Sequence, residues 1–333
     1  MSTVRERRSK NIFIRILEQN WRWSKAHSWR HLIEEHDLNP LIRGRRAARK
    51  TWWRMMHRDE KAHAIPVFLV GVQRSGTNML AHGLDERPDF QVYNEGNTQA
   101  FVDFQLRSLP VIKSLIERSR ARFVLFKPLC DSHRTPELLE YFGPSARAIW
   151  AYRNVDGRVR SAVAKFGDSN LRVLRAYASG SKRTAWQVQG LSPENADFVR
   201  SFDFDRLSAE SAAALFWYVR NSLYFEMALD RRRDTVLVDY DLLLAEPVRT
   251  ARALCDALDL GYRREMIAEI DPRRPTQRPP LAIDPRIRER CSALKERLDA
   301  ACFAQMSRAW NEPAGRRAAS RSDSPLVGAS ART

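Results

Sequence analysis

The sequence predicts an α/β fold in which a parallel β-sheet is flanked by helices. Short apolar runs of the kind found in buried strands recur along the chain, and helical patterns lie between them. Alternating strands and helices favour parallel pairing with right-handed crossovers. The chain has 333 residues, of which 44% are hydrophobic, so it is long enough to bury one large core.

The first strand is predicted at Val67 to Val70, an apolar run that ends on Gly71. A helix is expected to begin at Thr77 and to run through Leu84. Four more strands are predicted at 90–93, 123–126, 146–152 and 235–239. Five more helices are predicted at 135–142, 155–166, 208–230, 247–258 and 285–303.

A basic helical extension is predicted over residues 1–63, in front of this fold. It holds 16 Lys and Arg against 7 Asp and Glu, so it carries about half of the net charge of +17. Five tryptophans lie among these charges, with apolar spacing typical of short amphipathic helices. Three interpretations remain open: a helical layer on the main domain, docking on a membrane surface, or a contribution to substrate binding.

Charge and cysteine content narrow the class of protein only a little. The pI of about 10.3 fits a polyanionic ligand, a nucleic acid or an anionic membrane equally well. The four cysteines show neither a C-x-x-C pair nor zinc-site spacing, so we expect no metal site and no disulfide framework. Apolar runs of signal-peptide or membrane-spanning length are missing from the sequence, which predicts a cytoplasmic protein.

An anion-binding loop is predicted between the first strand and the helix that follows it. This segment, from Gly71 to Asn78, reads GVQRSGTN. Its glycines allow a turn whose backbone N–H groups converge on phosphate oxygens, at the positive end of a helix. The spacing is P-loop-like, but Thr77 replaces the lysine of the pattern G-x-x-x-x-G-K-S/T, so an ATPase loop is not expected.

This loop and a second segment together resemble the PAPS-dependent sulfotransferases, where PAPS is 3′-phosphoadenosine-5′-phosphosulfate. The family's first signature is similar to G-x-P/Q-R/K-S-G-T-T/N, and only Asn78 departs from its usual Thr. The segment from Ala151 to Ser161 resembles the family's 3′-phosphate motif, since a guanidinium at a strand end, Arg153, and a hydroxyl eight residues later, Ser161, can meet on one phosphate. The resemblance covers about residues 66–260 and implies a catalytic domain at 64–311, and the Ser, Ala, Gly and Arg content of residues 312–333 predicts a disordered tail.

The resemblance implies PAPS as sulfuryl donor and assigns roles to residues of both segments. The contacts it implies with the 5′-phosphosulfate are Arg74, Ser75, Gly76, Thr77 and Asn78, and those with the 3′-phosphate are Arg153 and Ser161. In the late Pro-rich loop, Arg278 is implied to close over the nucleotide, with Arg273 and Arg274 as weaker candidates. Tyr240 and Asp241 are expected to shape the last strand and to take no part in the chemistry.

The catalytic residues implied are Glu95 as general base, with Lys127 and Arg74 holding the charge on the leaving oxygen. Glutamate is the base in the bacterial, glycan and protein-tyrosine branch of the family. A histidine is the base in the cytosolic small-molecule branch, so His133 and His82 are alternatives. Sheets of this kind bind ligands at the carboxyl ends of their strands, where Arg74, Glu95, Lys127 and Arg153 are predicted to lie.

Other functions and the acceptor remain open at this point. A kinase-like phosphoryl transferase would need a Walker lysine and Mg²⁺ ligands. A basic protein without catalytic activity, bound to nucleic acid or to a membrane, would use residues 1–63. The preferred reading is a sulfotransferase whose acceptor is a hydroxyl or amine of a small molecule, glycan, glycolipid or hydrophobic metabolite, bound by residues 97–120 and 168–208. Neither nucleic acid nor metal is expected as a partner, peripheral membrane contact through residues 1–63 is kept open, and no oligomeric state is predicted.

Overall fold

The computed structural model describes residues 40–56, 64–181, 185–272 and 278–311. Within the predicted extension, the segment 40–56 is therefore described and the rest is not. The predicted tail, 312–333, lies outside the described residues, as do Arg273 and Arg274.

A five-stranded parallel sheet forms the centre of the molecule, which confirms the predicted α/β fold. Its strand order is β2-β5-β1-β6-β7, and every pair of neighbours is parallel. The strands are β1 (Ile65–Gly71), β2 (Phe90–Tyr93), β5 (Phe123–Phe126), β6 (Arg147–Tyr152) and β7 (Thr235–Asp239). Two short strands, β3 (Phe101–Val102) and β4 (Gln105–Leu106), pair separately as an antiparallel hairpin.

Eleven α-helices lie in the part of the chain that the structure describes. They are α1 (Pro40–Met56), α2 (Thr77–Asp85), α3 (Leu109–Glu117), α4 (Thr135–Phe142), α5 (Val155–Phe166), α6 (Ser169–Ala178), α7 (Pro193–Arg200), α8 (Ala209–Glu226), α9 (Tyr240–Ala245), α10 (Pro247–Ala257) and α11 (Pro285–Asn311). Short 3₁₀ turns cover Leu129–Arg134, Trp186–Val188, Leu229–Arg231 and Arg264–Ile267. Helices α4 and α5 have the predicted bounds, α8 is shorter than predicted and α11 is longer.

Both faces of the sheet are covered because each strand places apolar side chains on both of them. In β1, Phe68 and Val70 belong to one core cluster, and Val67 and Leu69 belong to the other. Successive strand residues point to opposite faces, so each face receives its own apolar set. Helix α8 lies against the first face and is buried along most of its length, which makes it the largest single element of that core.

The strand order places a switch point beside β1. From β1, the chain builds β2 and β5 on one side and β6 and β7 on the other. Loops that leave the carboxyl ends of neighbouring strands on either side of such a point open a crevice. None of the described helices is long and apolar enough to span a membrane.

Candidate functional site

The loop between β1 and α2 is held in a tight turn by its backbone geometry. Gly71 has φ 121°, and a Cβ there would lie 2.3 Å from the carbonyl oxygen of Ala151 in β6. Arg74 and Gly76 also adopt positive φ, at 70° and 79°. The Ser132 hydroxyl braces the start of the loop, because it accepts a hydrogen bond from the Gly71 N–H at 3.0 Å. The loop therefore has one fixed path into α2.

Ser75 gives the clearest indication that this loop fits an anion. Its side chain is completely buried, yet its hydroxyl has no hydrogen-bond partner in the described part of the chain. A buried hydroxyl without a partner costs roughly 1 to 3 kcal/mol, and an anionic oxygen would satisfy it. The N-terminus of α2 begins two residues later at Thr77 and adds unpaired N–H groups and a partial positive charge. A phosphate or sulfate group fits this arrangement.

The second predicted segment lies at the junction of β6 and α5. Asn154 caps α5, since its Oδ1 accepts the Gly157 N–H at 2.7 Å. Arg153 follows β6 directly, and its guanidinium lies over the Tyr240 ring, 4.7 Å from the centroid. Its Nε lies 4.0 Å from Oδ1 of Asp241. The guanidinium is thus held by a ring and a carboxylate beside the start of α5.

The structure brings the two segments together. Arg74 Nε in the loop donates a hydrogen bond to Ser161 Oγ in α5, at 2.9 Å. The Tyr240 ring lies directly against Gly76, where a Cβ would be 2.0 Å from Cδ2 of the ring. The same ring contacts Arg153. Residues far apart in sequence therefore form one cationic surface at the carboxyl edge of β1 and β6.

Glu95, Lys127 and Asn78 form a second group at the same edge of the sheet. Lys127 Nζ donates to Asn78 Oδ1 at 2.5 Å and lies 3.9 Å from Glu95 Oε2. The lysine is held in register because its backbone N–H donates to the Tyr93 carbonyl, which joins the ends of β5 and β2. The Cys130 thiol makes a 3.9 Å contact with Glu95 Oε1.

The Glu95 carboxyl is poised to take up or release a proton near neutral pH. Its side chain is only 17% exposed, and this removal from water raises its pKa to about 7. The Lys127 ammonium opposes that shift, and the Asp131 carboxylate adds to it. A group of this kind is suited to general-base chemistry.

The two histidine alternatives lie in different surroundings. His133 is packed against Gly190, and its pKa is lowered to about 4 by burial and by the charges of Arg220 and Arg134. A histidine of that pKa is neutral at physiological pH and is a weak base. His82 lies in the last turn of α2, where its Nε2 contacts Arg46 of α1 at 3.1 Å. It is therefore at the end of α2 away from the loop.

Arg158 was not singled out from the sequence, although it lies directly behind the loop. It is 1% exposed, and it donates to the carbonyls of Gln73 at 3.2 Å and Ala213 at 2.8 Å. Burial and the nearby charge of Arg74 lower its pKa to about 9. A signal was present in the sequence, because Arg158 lies on the same face of α5 as Val155, Val159 and Ala162.

Tyr240 and Asp241 were expected only to shape the last strand, and the structure places both in the candidate site. Asp241 Oδ2 accepts the Asn154 N–H at 2.8 Å, so it holds the turn that carries Arg153. The sequence offers no spacing by which this contact could be found, because Asn154 and Asp241 are 87 residues apart, as are the paired strand positions Tyr152 and Asp239.

The late segment that carries Arg278 is fastened to α5. Asp156 accepts the Leu281 N–H at 3.1 Å and forms a two-oxygen ion pair with Arg288. Arg160 also donates to the carbonyl of Pro279. Arg278 itself is exposed and lies one residue before that anchor. Residues 278–281 of the predicted late loop are thus placed beside the segment that carries Arg153.

Comparisons with known proteins find distant similarity in structure. No model of a known protein family matches the chain, and no curated protein matches it. The chain is similar to a sulfotransferase from Alicyclobacillus acidocaldarius, with 15% identity, a TM-score of 0.38 and coverage of 74% of this chain and 98% of that one.

Two further structures match in the same range. The sulfotransferase domain of the Synechococcus PCC 7002 olefin synthase has 11% identity and a TM-score of 0.36, covering 75% of this chain and 96% of that one. A mouse sulfotransferase complexed with PAP has 16% identity and a TM-score of 0.32, covering 62% and 63%. At these identities and TM-scores, function has to be argued from the residues of the site.

Proposed function

We propose that the chain is a sulfotransferase that moves the sulfuryl group of PAPS to a hydroxyl or amine of an acceptor. The observation that carries this proposal is the meeting of two anion-binding segments through the hydrogen bond between Arg74 and Ser161. One segment offers the buried, unpartnered Ser75 hydroxyl and a helix N-terminus, and the other offers the Arg153 guanidinium. A nucleotide with phosphates at both its 5′ and 3′ positions has anions for both segments.

The 5′ side of the nucleotide is assigned to the loop from Arg74 to Asn78. Backbone N–H groups and the Ser75 and Thr77 hydroxyls would bind its oxygens. The 3′-phosphate is assigned to Arg153 and Ser161, with a charge-assisted hydrogen bond from the guanidinium. Arg278 belongs to the segment anchored on Asp156 and is assigned to the outer side of the nucleotide.

Glu95 is assigned to accept the proton of the acceptor group. Lys127 and Arg74 are assigned to stabilise the negative charge on the leaving oxygen. In the transfer, the acceptor O–H or N–H loses its proton to the Glu95 carboxylate while a new bond to sulfur forms. The bond between sulfur and the bridging phosphate oxygen breaks, and the electron pair stays on that oxygen. Lys127 Nζ and the Arg74 guanidinium stabilise the negative charge that develops there. The pKa of Glu95, about 7, suits this role at neutral pH.

The acceptor is assigned to the side of Glu95 formed by the segments 97–120 and 168–208. Both segments contact the turn Leu129–Arg134, whose Cys130 touches Glu95. From the first segment, the Leu106 N–H donates to Asp131 at 2.7 Å. From the second, Gly190 packs against His133. A small molecule, glycan, glycolipid or hydrophobic metabolite fits the proposal, and the protein is proposed to act in the cytoplasm.

Calorimetric titration of the full chain with adenosine 3′,5′-bisphosphate, and separately with ATP and Mg²⁺, tests the nucleotide assignment. We expect one-site binding of the bisphosphate and no binding of ATP. Preference for ATP would replace the proposal with a phosphoryl transferase, and binding of neither would leave a basic protein without this activity.

A screen of acceptors with labelled PAPS then tests the transfer itself. In that assay Glu95→Gln is expected to lower turnover by roughly 10² to 10⁴ fold, the range for loss of a general base. Bisphosphate affinity should stay unchanged in this variant, because Glu95 is not assigned to the nucleotide. Turnover equal to that of the wild type would move the base to another residue, with His133→Gln as the next variant.

A further inference from the structure

Helix α1 is fixed to the end of α2 by one of its faces. Arg46 Nη1 lies 3.1 Å from Asp85 Oδ2, and Lys50 Nζ lies 2.5 Å from Asp85 Oδ1. Arg46 and Arg49 both pair with Glu86, the second at 2.7 Å. Arg46 and Lys50 are buried in this contact. Ion pairs that share two carboxylates and are partly shielded from water hold the helix in one orientation.

The opposite face of α1 is apolar and exposed. It carries Ala48, Trp52, Met55 and Met56, which we call the Trp52 face. The exposed fractions of its three large side chains are 63% for Trp52, 72% for Met55 and 66% for Met56. Positions 48, 52, 55 and 56 follow the helical spacing of three and four, so these side chains form one stripe.

The charge of α1 is of one sign only. Its sequence, PLIRGRRAARKTWWRMM, contains six Lys or Arg and neither Asp nor Glu. Arg45 is exposed and lies three residues before Ala48, on the same side of the helix. A helix with an exposed Trp and Met stripe among basic residues has the composition of helices that lie in the interface of an anionic lipid bilayer.

We propose that the Trp52 face of α1 docks on an anionic lipid surface. Trp52 would enter the headgroup region, where aromatic rings are favoured, and the two methionines would reach the acyl chains. The exposed Arg45 beside this face would be drawn to the lipid phosphates, by about 1 kcal/mol near the surface. Two exposed methionines side by side offer nothing to a nucleic-acid backbone, which is why a lipid surface is preferred to nucleic acid.

The docking would set the distance of the candidate site from the membrane. Helix α2 runs from the anion-binding loop at Thr77 to Asp85, where α1 is attached. Its nine residues span about 13 Å at roughly 1.5 Å per residue. Adding the diameter of α1, about 10 Å, the loop would lie no more than about 25 Å from the lipid surface.

Co-sedimentation of the full chain with vesicles tests the proposal, using phosphatidylcholine alone or mixed with phosphatidylserine. We expect binding to the mixed vesicles, weaker binding as salt is raised, and little binding to phosphatidylcholine alone. The double variant Trp52→Ser with Met55→Ser should lose about tenfold or more in affinity, because it removes most of the apolar area of the face. Ala48→Glu should weaken binding as well, since it places a carboxylate on that face.

A matched control is Phe303→Ser, which removes an equally exposed apolar side chain, 67% exposed, from α11. It should bind vesicles as the wild type does, and every variant should keep the circular dichroism spectrum of the wild type. Three results would overturn the proposal. Lipid binding that the double variant and Ala48→Glu leave unchanged would be assigned to residues outside α1, and equal binding to both vesicle types would contradict a preference for anionic lipid. Absence of lipid binding, together with self-association that Trp52→Ser abolishes, would assign the face to a second copy of the chain.

Discussion

At the scale of single residues, Glu95 combines a chemical role with a thermodynamic effect. Its carboxyl is kept from water beside Cys130, and the Lys127 ammonium at 3.9 Å offsets only part of the resulting rise in pKa. The pKa is about 7 in the folded protein, against an ordinary value of 4.5. Between these two values the folded state binds a proton that the unfolded state has released. The contribution of Glu95 to stability therefore falls as pH rises through this window.

Glu95→Gln should consequently stabilise the protein at pH 8 by up to about 3 kcal/mol and should change little near pH 4.5. The neutral amide avoids the cost of a buried carboxylate, which is present only above the folded pKa. Urea unfolding at both pH values measures the difference. The control is Glu137→Gln, because Arg134 lowers the pKa of that carboxyl and its removal should lower stability at pH 8. A Glu95→Gln protein that is no more stable at pH 8 than the wild type would contradict a raised pKa.

Arg158 is a second residue whose burial has a consequence. Its hydrogen bonds go to carbonyl oxygens, and it pairs with no carboxylate among the residues that the structure describes. A buried guanidinium without a counter-charge is unfavourable, and the neighbouring charge of Arg74 adds repulsion. An anion in the loop would relieve both effects, so the unfavourable charge of the free protein favours ligand binding.

Arg158→Met should therefore weaken binding of adenosine 3′,5′-bisphosphate by about tenfold, on the scale of one charge-assisted contact, and reduce its salt dependence. Arg158→Lys keeps the charge and should retain more of the affinity. The control is Arg220→Met, since Arg220 is equally buried and also donates to two carbonyls, in the segment around Trp186. Calorimetry at two salt concentrations measures all three. Equal losses of bisphosphate affinity in Arg158→Met and Arg220→Met would show that Arg158 acts through packing and not through its charge.

At the scale of elements, the junction of β1 with α2 depends on glycine for two separate reasons. Gly76 has φ 79°, a conformation that costs other residues about 1 to 2 kcal/mol. Its missing side chain also leaves room for the Tyr240 ring, which would lie 2.0 Å from a Cβ. Gly143, after α4, also has a positive φ of 77°, but its ψ of −169° places it in a region that only glycine readily adopts, and there is open space around its Cα.

An alanine variant at each glycine separates the effect of the backbone conformation from the effect of the contact with Tyr240. Gly143→Ala should lower stability by about 1 to 3 kcal/mol through the backbone alone and leave bisphosphate binding unchanged. Gly76→Ala should also lower stability, and unlike Gly143→Ala it should abolish tight binding, because the ring has to leave its place between the loop and Arg153. Urea unfolding and calorimetry give the two readouts. Similar behaviour of the two variants would show that the Tyr240 contact is unimportant.

The elements also show what could be predicted from the sequence. The five strands were found because continuous apolar runs mark strands buried on both faces. Helix α8 ends at Glu226, before the predicted 230, because Ala228 turns the chain with φ 52°. Helix α11 continues past Phe303 to Asn311, since neither Gly nor Pro interrupts the chain before Pro313.

The sequence does not predict contacts between segments that are far apart in the chain. The helices α3, α6, α7 and α9 are not predicted because each has only six to ten residues, too few for an apolar period to identify a helix. In the candidate site, the sequence predicts the individual residues of the two motifs. The roles of Tyr240, Asp241 and Arg158 follow from packing across the sheet edge, which has no local pattern in the chain.

At the scale of the whole molecule, the candidate site joins elements that leave three different strands of the sheet. The loop after β1, the start of α5 and the start of α9 meet at Arg74, Ser161 and Tyr240. The late segment before α11 is fastened to α5 through Asp156. A ligand with two anionic ends would bridge these elements, and only the folded state of the chain would bind it.

Adenosine 3′,5′-bisphosphate should therefore stabilise the full chain against unfolding, by about 2.7 kcal/mol at a concentration one hundred times its Kd. For a domain of this size the midpoint of thermal unfolding should rise by roughly 5 to 10 °C. Arg153→Ala should lose most of this effect at the same concentration, because a charge-assisted contact worth about 1.5 to 3 kcal/mol is gone. Arg206→Ala, which removes an exposed arginine paired with Asp203, should behave as the wild type does.

Adenosine 5′-monophosphate tells the two ends of the nucleotide apart in the same thermal assay. In the wild type it should stabilise less than the bisphosphate, because its 3′-hydroxyl leaves Arg153 and Ser161 without an anion. In Arg153→Ala the two nucleotides should differ much less, since the residue that distinguishes them is absent. If the bisphosphate kept its full advantage in Arg153→Ala, the 3′-phosphate would have to bind elsewhere, and the exposed Arg278 of the anchored late segment would be the next residue to replace.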